Sequence, residues 1–301
     1  MVSMRRALLA SSLAALTIGG SACVVNVDRQ GYIEHDEKRF DAEGVADLHL
    51  DTFAGSIEVR SWDRPEIVVD VEKRGADKAA VGRIEVTANR SGNRIEVTAR
   101  HSGPRGGFVG IGAMSSPAAK LIATVPRKTD LVVRTSDGSL LVERVEGKLD
   151  IRTSDGRVHV IETSGELLAD TSDGSVDLED VAGRVDARTS DGSLRVSGTP
   201  SQLRAETGDG SVVVRIRRGA EMTDDWLVTT GDGSISVELP DGFNADIEAD
   251  PGSDGRTRND LALINVTGGT REQRLLRGRA GNGGHLFRLR TGDGTIRLTK
   301  Y

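Results

Sequence analysis

A pentapeptide, Thr-(Ser/Gly)-Asp-Gly-(Ser/Arg), begins at Thr135, Thr153, Thr171, Thr189 and Thr207, each copy eighteen residues after the last. A further copy starts at Thr230, after five inserted residues, and a last one, ending in Thr295 in place of Ser or Arg, at Thr291. A short fixed period marks stacked like units that touch only their neighbours, and it sets aside most conventional globular folds. In rows of eighteen the units run 131–148, 149–166, 167–184, 185–202 and 203–220.

The columns of that array define two strands per unit. Column one holds Leu131, Leu149, Leu167, Val185 and Leu203, and column three holds Val133, Ile151, Ala169, Ala187 and Ala205. The threonine is column five, so these three columns share one face of an extended strand. Beyond the Asp-Gly corner, column ten reads Leu140, Val158, Val176, Leu194 and Val212. Column twelve reads Val142, Val160, Leu178, Val196 and Val214. The intervening columns drift: column four is Arg134, Arg152, Asp170, Arg188 and Glu206. Asp-Gly also signals hairpins, which would give an antiparallel meander. A hairpin array has no need of identical inward ladders at constant period, however. The expected fold is therefore all-β, a β-helix-like parallel β-solenoid of eighteen-residue, two-strand rungs, less regular at both ends.

The regular rungs span 131–243, with 226–243 the sixth, and 287–300 reads as a final rung that closes the stack. The segment 48–59 fits the template with Ala54 where the repeat has Asp. Residues 67–71 and 121–125 read as strands, 84–88 and 95–99 as a hairpin, and 101–118 as an exposed loop. Residues 250–284 read as loop, rich in Gly and Arg, around one strand at 261–266. Aromatic residues make up 3% of the chain, so the core must be filled by Val, Leu and Ile in thin layers.

The N-terminus reads as an export signal. Arg5 and Arg6 precede an apolar stretch from Ala7 to Ile18 that is too short to be a good membrane span. Ser21-Ala22 lead into Cys23, the single cysteine, which cannot form an intramolecular disulfide. This segment resembles a bacterial lipoprotein signal, although Gly20 stands where such signals usually carry an aliphatic residue. The resemblance implies lipid attachment at Cys23 and anchoring to a membrane of the cell envelope. The expected organisation is a signal at 1–22, a tether with a first edge element at 23–44, and a β-repeat domain at 45–301.

The corner aspartates (Asp137, Asp155, Asp173, Asp191, Asp209, Asp232 and Asp293) admit two readings. A row of carboxylates roughly 4.8 Å apart offers oxygen ligands to Ca²⁺. The nine-residue Gly-rich repeat of calcium-binding β-rolls is absent, and turn chemistry is the favoured reading. In it Asp accepts from amides two residues on, Gly supplies a positive φ, and Thr and Ser hydroxyls tie off the remaining donors. No cofactor or metal is therefore assigned. None of the five histidines lies in a metal or nucleophile motif, and His159 sits in an outward column. Arg134, Arg152 and Arg188 share column four, where alternating charge on a solvent face accounts for them. Without a basic block, nucleic-acid binding has no support at a formal charge of −6.

The Thr-Ser-Asp-Gly-Ser-(Leu/Val)-x-Val rungs and the terminal run 281–298 resemble the bacterial "putative adhesin" family of envelope β-repeat proteins. That resemblance implies a stacked β fold and an envelope location, and it carries no catalytic residues. The functional expectation is a non-enzymatic, surface-exposed scaffold or adhesin-like binding module. Its partners would be the membrane, through the anchor, and an envelope polymer, polysaccharide or protein. The alternatives are a carbohydrate-active β-helix enzyme, with a concave acidic-basic cluster along one sheet, and an envelope-stress sensor partner. Any site is expected where the repeat breaks: at Ala54, at 221–225 and in the long C-terminal loop.

Overall fold

In a computed structural model, residues 25–28, 31–103, 116–270 and 274–301 are described. The signal, Cys23 and most of the 101–118 segment lie outside them. The described residues form an all-β molecule of twenty-four strands, with a single four-residue helix at Lys78–Val81.

Successive units lie side by side with parallel strands. Leu140 pairs with Val158, Val158 with Val176, Val176 with Leu194, and Leu194 with Val212. On the other stack Leu131 pairs with Leu149, Leu149 with Leu167, Leu167 with Val185, and Val185 with Leu203. These inward residues are all buried, so each column is a continuous apolar ladder. The outward columns are ordered too, by ion pairs along and between rungs. Arg134 and Arg152 both reach Asp150, Arg188 reaches Asp186 and Glu206, and Arg195 reaches Asp177. The three column-four arginines are thus spent on neighbouring carboxylates. His159 is outward as expected, 3.2 Å from Glu179.

The tight corner differs from the turn chemistry read in the sequence. Glycines 138, 156, 174, 192, 210, 233 and 294 do not adopt positive φ. A Cβ on any of them would instead come far inside contact with the carbonyl oxygen of the corner one rung before. Glycine is required because coils stack backbone on backbone there. The corner aspartates are exposed, and among the described residues their carboxylates make no hydrogen bond or ion pair. The hydroxyls do the work expected of them. The Oγ1 atoms of Thr153, Thr171, Thr189, Thr207, Thr230 and Thr291 donate to the carbonyls of Gly138, Gly156, Gly174, Gly192, Gly210 and Gly233, at 2.7–3.1 Å. The same hydroxyl accepts from the glycine amide of its own corner at Gly192, Gly210, Gly233 and Gly294, at 3.1–3.3 Å. Each of these threonines therefore pins its turn to the previous one, and the last four also close their own turns.

The looser corner carries the positive φ values. Gly147, Gly165 and Gly183 lie at +153°, +118° and +93°. Three residues earlier, Arg144, Glu162 and Asp180 hold φ between 53° and 57°, a left-handed conformation that ordinary side chains seldom adopt.

At both ends the stack departs from chain order. Ala46–Thr52 lies between Thr129–Thr135 and Arg94–His101, so the later segment is the outer one. Beyond it, Ile84–Ser91 forms the expected hairpin partner. Gly31–Asp41, in the stretch read as tether and edge element, pairs with Glu66–Gly75, which pairs in turn with Ala118–Pro126. At the far end the terminal rung does not close the stack. Leu286–Thr291 and Thr295–Lys300 are inserted between the 226–239 unit and the strands Ala245–Asp250 and Arg256–Asn259. Trp226 and Phe287 are both fully buried, packed edge to face at 5.2 Å, with Phe243 at 5.6 Å from Trp226. Phe287 pairs on its other side with Ile247, so the strand Ala245–Asp250 covers this aromatic layer. The region read as loop holds three strands, Arg256–Asn259, Ile264–Thr267 and Leu276–Ala280.

Two substitutions separate these roles by thermal denaturation. Thr171→Val, which keeps shape but removes the bond to Gly156, is expected to cost about 1–2 kcal/mol. Gly174→Ala should cost more, about 3 kcal/mol or above, because backbone has to separate. Equal effects would contradict the stacking account.

Candidate functional site

A groove of about 560 Å³ crosses six adjacent strands near the looser corner. Its position follows from the repeat. The bend at Gly147, Gly165 and Gly183 turns the next residue of each unit outward, so Lys148, Glu166 and Arg184 form one wall. Their charges alternate in sign from rung to rung, and Lys148 lies 3.9 Å from Glu166. Column two forms the floor: Val132, Asp150, Leu168 and Asp186, with His49 at the N-terminal end. Val132 and Leu168 are half-buried, leaving apolar steps between the two carboxylates. Asp47 and Arg94 close the N-terminal end, where His49 Nε2 lies 2.8 Å from Asp47 and 2.9 Å from Arg94.

The groove offers unused hydrogen-bonding capacity. Asp186 Oδ2 accepts from Arg188 at 2.7 Å, while its Oδ1 is shielded from solvent and has no partner among the described residues. The Arg184 guanidinium likewise has no acid partner among them. Asp186 Oδ1 is too enclosed for a ligand to reach, whereas the exposed Arg184 guanidinium can engage an anionic group.

A smaller recess at the C-terminal end shows how tightly charges are paired elsewhere. It is lined by Asp246, Glu248, Arg277 and Arg279 on the strands that cover the aromatic layer. Burial pushes the Glu248 carboxyl up. Hydrogen bonds at 3.0 Å from Arg277 and at 3.0 Å from Arg288, with their charges, outweigh that and hold it below its ordinary 4.5.

Of the sites expected at breaks in the repeat, two are structural. At Ala54, Thr52 Oγ1 bonds to Ala119 at 2.9 Å and Gly55 carries φ +123°, so the substituted corner starts the ladder. The 221–225 insertion leads into buried Trp226, and Asp225 Oδ1 accepts from the Leu286 amide at 2.8 Å. The groove itself was missed in the sequence, although column eighteen carried a signal in the alternating signs of Lys148, Glu166 and Arg184. Among the described residues no group of three or more His, Cys, Asp or Glu is arranged to hold a metal, and the corner aspartates form no such group. Nor is any helix among them long and apolar enough to cross a membrane.

A family model described as Toastrack DUF4097 matches residues 45–299. No curated protein matches the chain. Among solved structures, a "putative lipid binding protein" of Parabacteroides distasonis shares 12% identity at a TM-score of 0.42, over 88% of this chain and 96% of that one. A "putative adhesin" of Bacteroides fragilis shares 12% identity at a TM-score of 0.34, over 88% and 96%. A "putative cell adhesion protein" of Clostridium sporogenes shares 11% identity at a TM-score of 0.30, over 89% and 100%. At such scores these likenesses lend the chain neither a ligand nor a role.

Glu248 gives a pH-dependent test. A carboxyl held low in the folded state stabilises fully above its unfolded value and loses that contribution as pH falls through the folded one. Wild type should therefore melt above Glu248→Gln at pH 7, with the gap closing as pH falls below the ordinary carboxylate range. A gap that does not change with pH would remove the Arg277–Glu248–Arg288 account.

Proposed function

The chain belongs to the Toastrack DUF4097 family, and from that premise we propose a non-enzymatic, lipid-anchored cell-envelope protein. Its parallel coils act as a β-solenoid scaffold, and the groove at the looser corner is its binding surface. The observation that carries this reading is the groove itself, with half-buried Val132 and Leu168 between charged walls on a rigid, fully paired stack. Such a surface suits an extended polymer. Apolar steps supply contact area, and the alternating Lys148, Glu166 and Arg184 supply register. The ligand is an envelope polymer, polysaccharide or protein segment, and nucleic acid is not favoured at a formal charge of −6.

The carbohydrate-active alternative has one observation in its favour, the carboxylates of Asp150 and Asp186 in the same groove. Both already accept hydrogen bonds from guanidinium groups, Arg152 and Arg188, at 2.7 Å. Neither is arranged as the proton donor that glycosidic cleavage needs. Nothing in the groove favours the sensor reading.

The anchor is supported by Cys23 at the end of the apolar leader. Replacing it, as Cys23→Ala, should move the protein from the membrane fraction to the soluble fraction. Retention in the membrane fraction would exclude lipidation as the anchor. Binding is tested apart from anchoring by co-sedimentation with isolated envelope polymer. Leu168→Asp places a charge on the groove floor and should weaken retention about tenfold, with thermal stability changed by about 0.5 kcal/mol or less. Equal retention of both proteins, or none by either, would sink the groove reading.

A further inference from the structure

Four neighbouring rungs of the groove repeat in pairs. From the N-terminal end the wall holds Asp130, Lys148, Glu166 and Arg184, and the floor holds Val132, Asp150, Leu168 and Asp186. Where the wall is acidic the floor is apolar, and where the wall is cationic the floor is a carboxylate. The alternation runs through two full periods. It breaks at His49 on one side and at Gln202 and Arg204 on the other. We infer that the ligand of the groove is an acidic polysaccharide with one carboxylate on every second sugar. The inference rests on the groove being the binding surface, and it adds the identity of the polymer.

Length carries the argument. Parallel strands lie about 4.8 Å apart, so the pattern returns after about 9.6 Å. One disaccharide of an extended β-linked glycan has close to that length. The accessible cations share the spacing: Lys148 and Arg184 stand two rungs apart, both exposed, with Glu166 between them. A carboxylate on every second sugar meets a cation each time and passes over Glu166. A carboxylate on every sugar would be set against Glu166, a like charge.

The floor suits the rest of such a ligand. Sugar rings have apolar C–H faces, which half-buried Val132 and Leu168 can contact, and hydroxyls at their rims, which can donate to Asp150 and Asp186. Each of these carboxylates already accepts from an arginine, yet its side chain remains 28% exposed. Peptides suit the groove less well. An extended strand presents like side chains about every 6.6 Å and docks by adding to a free sheet edge. The four strands here are paired on both sides. A polyproline II helix returns after about 9.3 Å, but proline has no N–H to offer the floor carboxylates.

The test is direct titration of the full chain, carrying Cys23→Ala so that no attached lipid contributes, at constant ionic strength. The probes are hyaluronan oligosaccharides, with a carboxylate on every second sugar, oligogalacturonates, with one on every sugar, and neutral chitin oligosaccharides. Four rungs hold two repeats, so the hyaluronan tetrasaccharide should bind about tenfold more tightly than the disaccharide. It should also outbind the other two tetrasaccharides. Arg184→Gln and, separately, Lys148→Gln should each weaken it about fivefold. Glu166→Gln should narrow the preference for hyaluronan over oligogalacturonate, also about fivefold. All three side chains are exposed, and unchanged melting shows that the variants fold. Equal binding of the chitin or galacturonate tetrasaccharide, or no loss in Arg184→Gln and Lys148→Gln, would overturn the inference. So would tighter binding of a repeating Pro-Pro-Glu peptide, which would assign a protein segment instead. Failure of the groove reads out separately. If Leu168→Asp loses envelope polymer while wild type shows no preference for hyaluronan, the groove stands and the acidic glycan falls. If Leu168→Asp retains the polymer, both fall.

Discussion

The structure depends on a bond that a single hydroxyl makes twice. Each corner threonine donates to the glycine carbonyl one unit earlier, and from Thr189 onward it also accepts from its own glycine amide, as at Thr207, with Gly210 at 3.3 Å and Gly192 at 2.8 Å. Neither half is strong alone, at about 1 kcal/mol net. Repetition changes the consequence, because a corner displaced from register leaves two buried polar groups unpaired together. The apolar ladders do not supply that selectivity. A valine meets a leucine almost as well after a slip of two residues, whereas the threonine meets a carbonyl only in register. Hydrophobic burial stabilises the stack, and the threonines specify it.

That division explains the glycines. At the tight corner the hydroxyl must reach a carbonyl across the inter-strand gap, so the backbones approach until a Cβ has no room. At the looser corner the chain instead bends through positive φ, which frees the following side chain to point outward. The groove wall of Lys148, Glu166 and Arg184 is a by-product of that bend. One corner keeps the coils together, and the other shapes the surface they present.

The inward columns, the strand positions in the regular rungs and the hairpin at 84–101 were legible because burial selects the same residue type at every turn. The chemistry of the corner was misread for the same reason. Asp-Gly satisfies local turn preferences, and nothing local reveals that the glycine faces another glycine eighteen residues away. The insertion of 286–300 was illegible too. Its neighbours, Trp226 at one side of Phe287 and Ile247 at the other, lie at sequence separations that match no fixed period. The groove lay half in view, through the alternating signs of column eighteen.

Translational symmetry limits where recognition can arise in such a molecule. A perfect stack offers the same shallow surface at every rung, and its outward charges neutralise one another, as Arg188 does between Asp186 and Glu206. A ligand gains nothing at one rung that it would not gain at the next. Specific binding therefore requires a place where the repeat leaves something unpaired. Arg184 is such a place within the stack, an exposed guanidinium with no acid partner among the described residues. It stands at the looser corner, and the threonine ladder tolerates that departure because its own corners lie at the other end of each strand. A scaffold specified by one edge is free to vary the others, and there new binding chemistry costs the fold least.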